Sequence, residues 1–380
     1  MRILIIGAGL SGASFAAKLS RLGHCVEVRE QLPFVGGLCY SDISPNGIIY
    51  EPFGARTFHT KFDYVKEFVL QFADFNSYVH RKGAIIDGQL VPFPISRHTI
   101  DRLSQKKKIY SELEKRSGKI DTSDFETCMK SMLGNTLYKL FIENYTKVMW
   151  GIEPKNLSAE WAPKRLEFRQ GDDDSLFEEQ WQGLPIGGYT KFIENMLKFS
   201  KVDLDKKFDP NHYDMREFDL ILFSGKIDSL LNYKFGKLPY RSLEFSYTDL
   251  EEWEKDNYGT INLPQHPNMI RKANFKILHQ QKTEKVWIQY QKPVEASEKN
   301  LPMYPVNTIS SKKLFRKYLN EIIKKYPNIV PIGRLGLFKY LDMDKAVKLA
   351  LDMTPLVLEW RELDTFTRLA KINDLLKEIV

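Results

Sequence analysis

Six residues near the start of the chain, Gly7-Ala8-Gly9-Leu10-Ser11-Gly12, have the spacing GxGxxG, and Glu30 follows 18 residues after the last of them. That spacing suits the grip of an adenine dinucleotide. The first glycine permits a tight turn, the second lets the backbone approach a pyrophosphate, and the third lets a helix pack closely on its strand. The N–H groups at the start of that helix, at the positive end of its dipole, then face the phosphates. Glu30 is placed to accept a hydrogen bond from a ribose hydroxyl. No Ser/His/Asp or Cys/His arrangement stands out, and Cys25, Cys39 and Cys128 have no metal-ligand spacing, so no metal site is expected.

To work, these residues need a strand, a turn, a helix and a second strand in that order. The apolar run Ile3-Leu4-Ile5-Ile6 supplies the first strand and Val26-Glu27-Val28-Arg29-Glu30 the second, with Cys25 expected inside the core. A second glycine pair, Gly36-Gly37, follows. Ala84 to Val91 reads as a hairpin, because Asp87-Gly88 is a type I′ turn signal. From Ser96 to Leu157 the apolar spacing is helical, with Leu137, Leu140, Phe141 and Tyr145 as an example. Gly151 to Tyr189, rich in proline and glycine and carrying Asp172-Asp173-Asp174, reads as a long loop. A helix at 191–198 and a buried strand at 220–225 follow. Strands predominate from Ser242 to Tyr290, with alternation over Lys285 to Tyr290. A helix is expected over 311–326, a strand and turn over 329–334, and helix from Asp344 onward.

The chain has 380 residues, 43% hydrophobic and 28% charged, which is the composition of a globular protein of two or three domains. No apolar run is long enough to span a membrane, and the expected location is cytoplasmic. The net charge of +7 is spread along the chain. Lys106-Lys107-Lys108 reads as a solvated helix face, so nucleic acid is not an expected partner. A modest positive balance also suits an anionic nucleotide substrate.

Several separate motifs point further. They are the glycine turn with Gly36-Gly37, Phe58-His59-Thr60, Tyr145-Thr146 with Trp150-Gly151, and Gln182-Gly183-Leu184-Pro185 with Gly187-Gly188-Tyr189. Phe235-Gly236 through Tyr240-Arg241-Ser242-Leu243 follows, then Tyr304-Pro305, then Gly333-Arg334-Leu335-Gly336 through Tyr340-Leu341-Asp342-Met343-Asp344. In order and spacing, from Met1 to about Leu351, the chain resembles the UDP-galactopyranose mutases, flavoenzymes that interconvert six- and five-membered ring forms of a nucleotide-linked galactose. The resemblance implies FAD, active when reduced, in a reaction without net redox change. Flavin N5 attacks the anomeric carbon and expels the nucleoside diphosphate. The sugar–flavin adduct opens to an iminium and recloses through another hydroxyl, and the diphosphate then displaces the flavin.

The same resemblance assigns residues. Arg165 and Arg271 are the cations for the leaving diphosphate, and Tyr304 and Tyr340 donate hydroxyls to it. Phe141, Tyr145 and Trp150 stack on the base, with Thr146 and Asn262 beside the substrate. Gly7, Gly9, Gly12, Glu30 and Gly37 hold the cofactor with Arg56, His59, Arg334, Asp342 and Met343. The chain departs from the family pattern at Gly54-Ala55-Arg56-Thr57-Phe58-His59-Thr60, where Arg56 replaces a histidine, and at Leu176, which replaces a tyrosine. These departures surround the substrate and put the sugar in question more than the reaction.

The implied architecture is α/β: a Rossmann-like FAD-binding domain with an inserted helical bundle and an antiparallel β-sheet domain. Residues 1–82, about 200–235 and about 328–380 would form the FAD domain. About 96–195 would be helical, with a mobile loop at about 151–177, and 83–95 with about 236–327 would form the sheet domain. A homodimer and an external flavin reductant such as NAD(P)H complete the expectation. Three other readings stand beside it. One is the same chemistry on UDP-N-acetylgalactosamine or a TDP-deoxysugar. Another is an FAD-dependent oxidoreductase of amine-oxidase type. The third is a non-catalytic nucleotide-sugar-binding relative, to which the departures at Arg56 and Leu176 point.

Overall fold

The computed structural model describes residues 1–159, 168–169, 175–210, 217–253, 257–297 and 299–378. Arg165 and Asp172 to Asp174 lie outside the described residues. A five-stranded parallel sheet runs in the order Ile329–Pro331, Leu220–Phe223, Arg2–Ile6, Cys25–Arg29, Lys201–Asp203. Ile3, Leu4 and Ile5 at its centre are fully buried, as expected of a strand covered on both faces. The helix Leu10–Arg21 leaves the first strand through the glycine turn and packs against the helix Met343–Glu359. This is a Rossmann-like arrangement, with the glycine turn at the C-terminal end of the central strand. Cys25 is exposed rather than buried, because it opens the second strand, one residue before the covered part of the sheet begins at Val26.

A seven-stranded sheet forms the other wall. Its order is Tyr304–Pro305, Tyr240–Thr248, Ile288–Glu295, Arg271–Asn274, Thr260–Asn262, Lys82–Ile86, Gln89–Phe93. It is antiparallel except where Thr260–Asn262 runs parallel to Lys82–Ile86. The hairpin forms as the sequence predicts, with Asp87 at φ 49° and Gly88 at φ 78° in the turn. The strand expected at Lys285 to Tyr290 instead spans Ile288–Glu295. Its pairing with Tyr240–Thr248 carries it past Pro293, beyond the stretch where alternation is visible.

Helices fill the chain between the hairpin and the long loop: Arg97–Asp101, Lys106–Glu114, Phe125–Leu137 and Asn144–Trp150. Lys106, Lys107 and Lys108 are all exposed. Between the last two helices, Tyr138–Glu143 is a π turn. The long loop returns as a short strand, Gln182–Gly183, paired with Phe58–His59. No helix among the described residues is long and apolar enough to cross a membrane.

Candidate active site

Three backbone turns converge beyond the parallel sheet. A Cβ on Gly12 would sit 2.0 Å from the Gly7 carbonyl oxygen, so only glycine lets the helix start this close to its strand. Gly37, at φ 53°, brings its own missing Cβ to 3.2 Å from the Gly9 Cα. The Gly36 N–H donates to the Ala8 carbonyl at 2.9 Å, and Gly333 closes the third side against Ser11. The result is a cradle walled by backbone, suited to a pyrophosphate. Glu30 is buried beside it and accepts from the Ala8 and Leu32 N–H groups at 2.8 and 2.9 Å. Burial raises its pKa, and those N–H partners offset only part of the rise. Each carboxylate oxygen keeps a lone pair for a ribose hydroxyl.

Between the cradle and the larger sheet lies a cluster of cations and phenols. Arg271, half-buried at the start of its strand, donates from Nε to Asn262 Oδ1 and from Nη2 to the Tyr145 hydroxyl, both at 3.2 Å. Burial works against its charge, but the facing phenols of Tyr145, Tyr304 and Tyr340 outweigh that and raise its pKa. Tyr304 and Tyr340 lie parallel, with ring centroids 6.1 Å apart. The Arg334 guanidinium lies 5.7 Å from the Tyr304 ring and 4.6 Å from that of Tyr340. It donates to the Met303 and Leu341 carbonyls at 2.9 and 2.7 Å, which holds both tyrosine segments together. Trp150 packs edge-on against Tyr304 at 6.4 Å. Permanent positive charge beside phenolic donors is the equipment for binding a diphosphate.

The structure separates Phe141 from the other aromatic candidates. Phe141 is buried against Phe93 of the hairpin, in a cluster shared with the neighbouring helices, while Tyr145 and Trp150 pack in a separate cluster with Tyr304. Thr146 is buried in the same helix. Asp342 is the N-cap of the helix that Met343 opens. Arg56 donates to the Phe53 carbonyl at 2.7 Å, and its buried Nε has no partner among the described residues. His59 Nδ1 lies 3.3 Å from Glu179, and its ring stacks on Phe177 at 3.6 Å. His59 in turn pushes the Glu179 carboxyl down to about 2. Leu176 donates its N–H to the His80 carbonyl at 2.7 Å.

Sequence reasoning missed Phe177, Glu179, His80 and Lys82. His80 is buried, with its ring nitrogens 2.7 and 3.1 Å from the hydroxyls of Thr57 and Thr260. Lys82 pairs with Thr260 in the sheet and so shares the face that carries Asn262 and Arg271. An inward lysine at the head of a hairpin strand was the one available signal. The contact of His59 with Glu179 joins positions 120 residues apart and leaves no trace in spacing.

A family model described as UDP-galactopyranose mutase matches residues 140–340, and one described as an NAD(P)-binding Rossmann-like domain matches residues 5–72. The chain is 30% identical to a probable UDP-galactopyranose mutase from Klebsiella pneumoniae, covering 96% of this chain and 98% of that protein. It is 29% identical to the dTDP-fucopyranose mutase of Escherichia coli, over 94% and 98%. A crystal structure of reduced UDP-galactopyranose mutase superposes with a TM-score of 0.78 at 16% identity, covering 98% of both chains. The chain belongs to the UDP-galactopyranose mutase family.

Proposed function

We propose that this protein interconverts the pyranose and furanose forms of a nucleotide sugar with the help of reduced FAD, most simply UDP-galactopyranose and UDP-galactofuranose. The observation that carries the reading is Arg271, held by Asn262 and Tyr145 and facing the parallel pair Tyr304 and Tyr340. The backbone cradle, in which a Cβ at Gly12 collides and one at Gly37 crowds, fits the pyrophosphate of the cofactor. Gly7, Gly9, Gly12, Gly37 and Glu30 would hold its adenosine diphosphate half. The segment Arg56 to His59 and Arg334 would flank the ring. Bound and reduced, FAD supplies the nucleophile for the anomeric carbon and leaves no net redox change.

The chain's own residues bind, orient and stabilise charge. Arg271 meets the charge that builds on the departing diphosphate, where a guanidinium held in advance needs no reorganisation. Tyr304 and Tyr340 donate their hydroxyls to the same phosphates, and Tyr145 and Trp150 offer ring faces to the base. By resemblance Arg165 is a second cation, and Arg165→Ala is expected to lower turnover comparably to loss of Arg271. A homodimer, an external reductant such as NAD(P)H and a cytoplasmic location belong to the same proposal.

The near-equal identity to a dTDP-fucopyranose mutase favours a second reading, in which the substrate is a dTDP-6-deoxysugar. One experiment addresses both. Dithionite-reduced, FAD-loaded protein is incubated separately with UDP-galactopyranose and dTDP-fucopyranose, and the ring forms are resolved by chromatography. Conversion of one names the substrate. Conversion of neither, or equal rates with oxidised FAD, overturns the proposal.

A further inference from the structure

The helix Asn144–Trp150 carries Tyr145 and Trp150 into the cluster and continues a helical run through the π turn Tyr138–Glu143, which fixes its N-terminal end. Its last turn, ending at Gly151, has no further helix beyond it to take up its carbonyls. Arg241 supplies a hold at its C-terminal end. This arginine is buried near the start of the strand Tyr240–Thr248. It donates from Nε to the Met149 carbonyl at 2.9 Å and from Nη2 to the Val148 carbonyl at 3.1 Å. Those are among the last carbonyls of the helix, which lack partners inside it and mark its negative pole.

The fit extends to the next residue. Gly151 ends the helix in the left-handed region at φ 67°, and a Cβ there would stand 3.0 Å from Arg241 Nη1. The backbone of Arg241 is tied to the opposite wall of the site. It pairs in register with Tyr304 and accepts from the Met303 N–H at 3.0 Å. One residue therefore joins the Tyr304 strand to the helix whose Trp150 packs on Tyr304 and whose Tyr145 reaches Arg271. At the other end of the helix, Asn144 donates to the Pro264 and His266 carbonyls at 2.8 and 3.0 Å, in the turn that separates Asn262 from Arg271.

We propose that Arg241 is a positioning residue for the nucleotide: its guanidinium clamps the C-terminal turn of the aromatic helix and so sets Tyr145 and Trp150 against Arg271 and Tyr304. The inference rests on the assignment of this cleft as the nucleotide-sugar site. Arg241→Met keeps the length and removes the donors, and Arg241→Lys restores one charged donor.

The test uses FAD-loaded protein. It measures UDP and dTDP binding by calorimetry, KM and kcat on the sugar that the parent turns over, and flavin absorbance with thermal midpoint as a check on folding. Arg241→Met is expected to weaken nucleotide binding and raise KM about tenfold, with kcat within about threefold of the parent and the flavin retained. Arg241→Lys should recover most of that loss. Nucleotide affinity and KM within twofold of the parent in folded Arg241→Met overturn the inference, and so does an equal fall in kcat with KM unchanged. Should Arg241→Met fail to fold, Gly151→Ala displaces the guanidinium from the other side, and unchanged affinity in that variant overturns it equally. A parent that binds neither nucleotide removes the site assignment, and this inference falls with it. A parent that binds while Arg241 variants bind equally well removes the inference alone.

Discussion

Arg271 shares one oxygen of Asn262 and one hydroxyl of Tyr145, and both contacts leave guanidinium donors free to turn toward an anion. Arg271→Ala is expected to cut turnover by about a hundredfold or more through lost charge stabilisation, with FAD still bound. Steady-state rates alongside the flavin spectrum check it, and normal turnover would remove Arg271 from the reaction. Tyr145→Phe keeps the ring and loses the hydroxyl that accepts from Arg271. Its expected outcome is a rise in KM of a few-fold with a smaller change in kcat, read from the same assay. At this scale the sequence was legible only through motifs. Arg271, Tyr304 and Tyr340 come from separate segments, and no periodicity links them. Phe141 shows the limit: four residues before Tyr145 it reads as part of the same aromatic stripe, but it packs in the core beside Phe93 and not with Tyr145, which spacing alone does not reveal.

The elements that hold these residues were legible wherever local chemistry decides the backbone. The turn at Asp87-Gly88 needs two residues at positive φ, and the sequence provides a pair that tolerates it. The strand–turn–helix at Ile3 to Arg21 is likewise written in its apolar run and glycines. Tertiary pairing was not legible. The Ile288–Glu295 strand continues past Pro293 because Tyr240–Thr248 lies beside it, and the parallel contact between Thr260–Asn262 and Lys82–Ile86 has no local signature. A prediction at this scale concerns the glycine turn. Gly12→Ala places a methyl against the Gly7 carbonyl, so the helix must move off its strand. The expected cost is about 1–3 kcal/mol of stability, with loss of copurifying flavin, measured by urea unfolding and by absorbance near the flavin maximum.

Across the whole molecule, acid is the condition that tests the buried contacts of His80 with Thr57 and with Thr260 of the larger sheet. Burial, with the nearby charges of Lys82, Arg271 and His59, holds the His80 pKa well below the usual histidine value. Above about pH 6.5 neither the folded nor the unfolded chain protonates it, and its contribution to stability is complete. Below that pH the unfolded chain takes up the proton and the folded one does not, so stability falls as pH falls, by at most about 1.4 kcal/mol per unit from this residue. Glu179, depressed to about 2, adds a loss in the same direction that begins as pH falls into the ordinary glutamate range and is complete only below about 2. The urea midpoint is therefore expected to drop between pH 7.5 and 5.5, with a shallower slope in His80→Gln, and an unchanged slope would exclude His80 as a source. The parallel sheet carries one more consequence. Its central strand, Arg2–Ile6, pairs on one side with Leu220–Phe223, more than 200 residues along the chain, and the strand beyond that is Ile329–Pro331. Gly333, which completes the cradle, comes just after the last of these. During synthesis the turn at Gly7 to Gly12 therefore leaves the ribosome more than 200 residues before Leu220–Phe223 and more than 300 before Gly333. The cradle cannot close until that last turn has emerged.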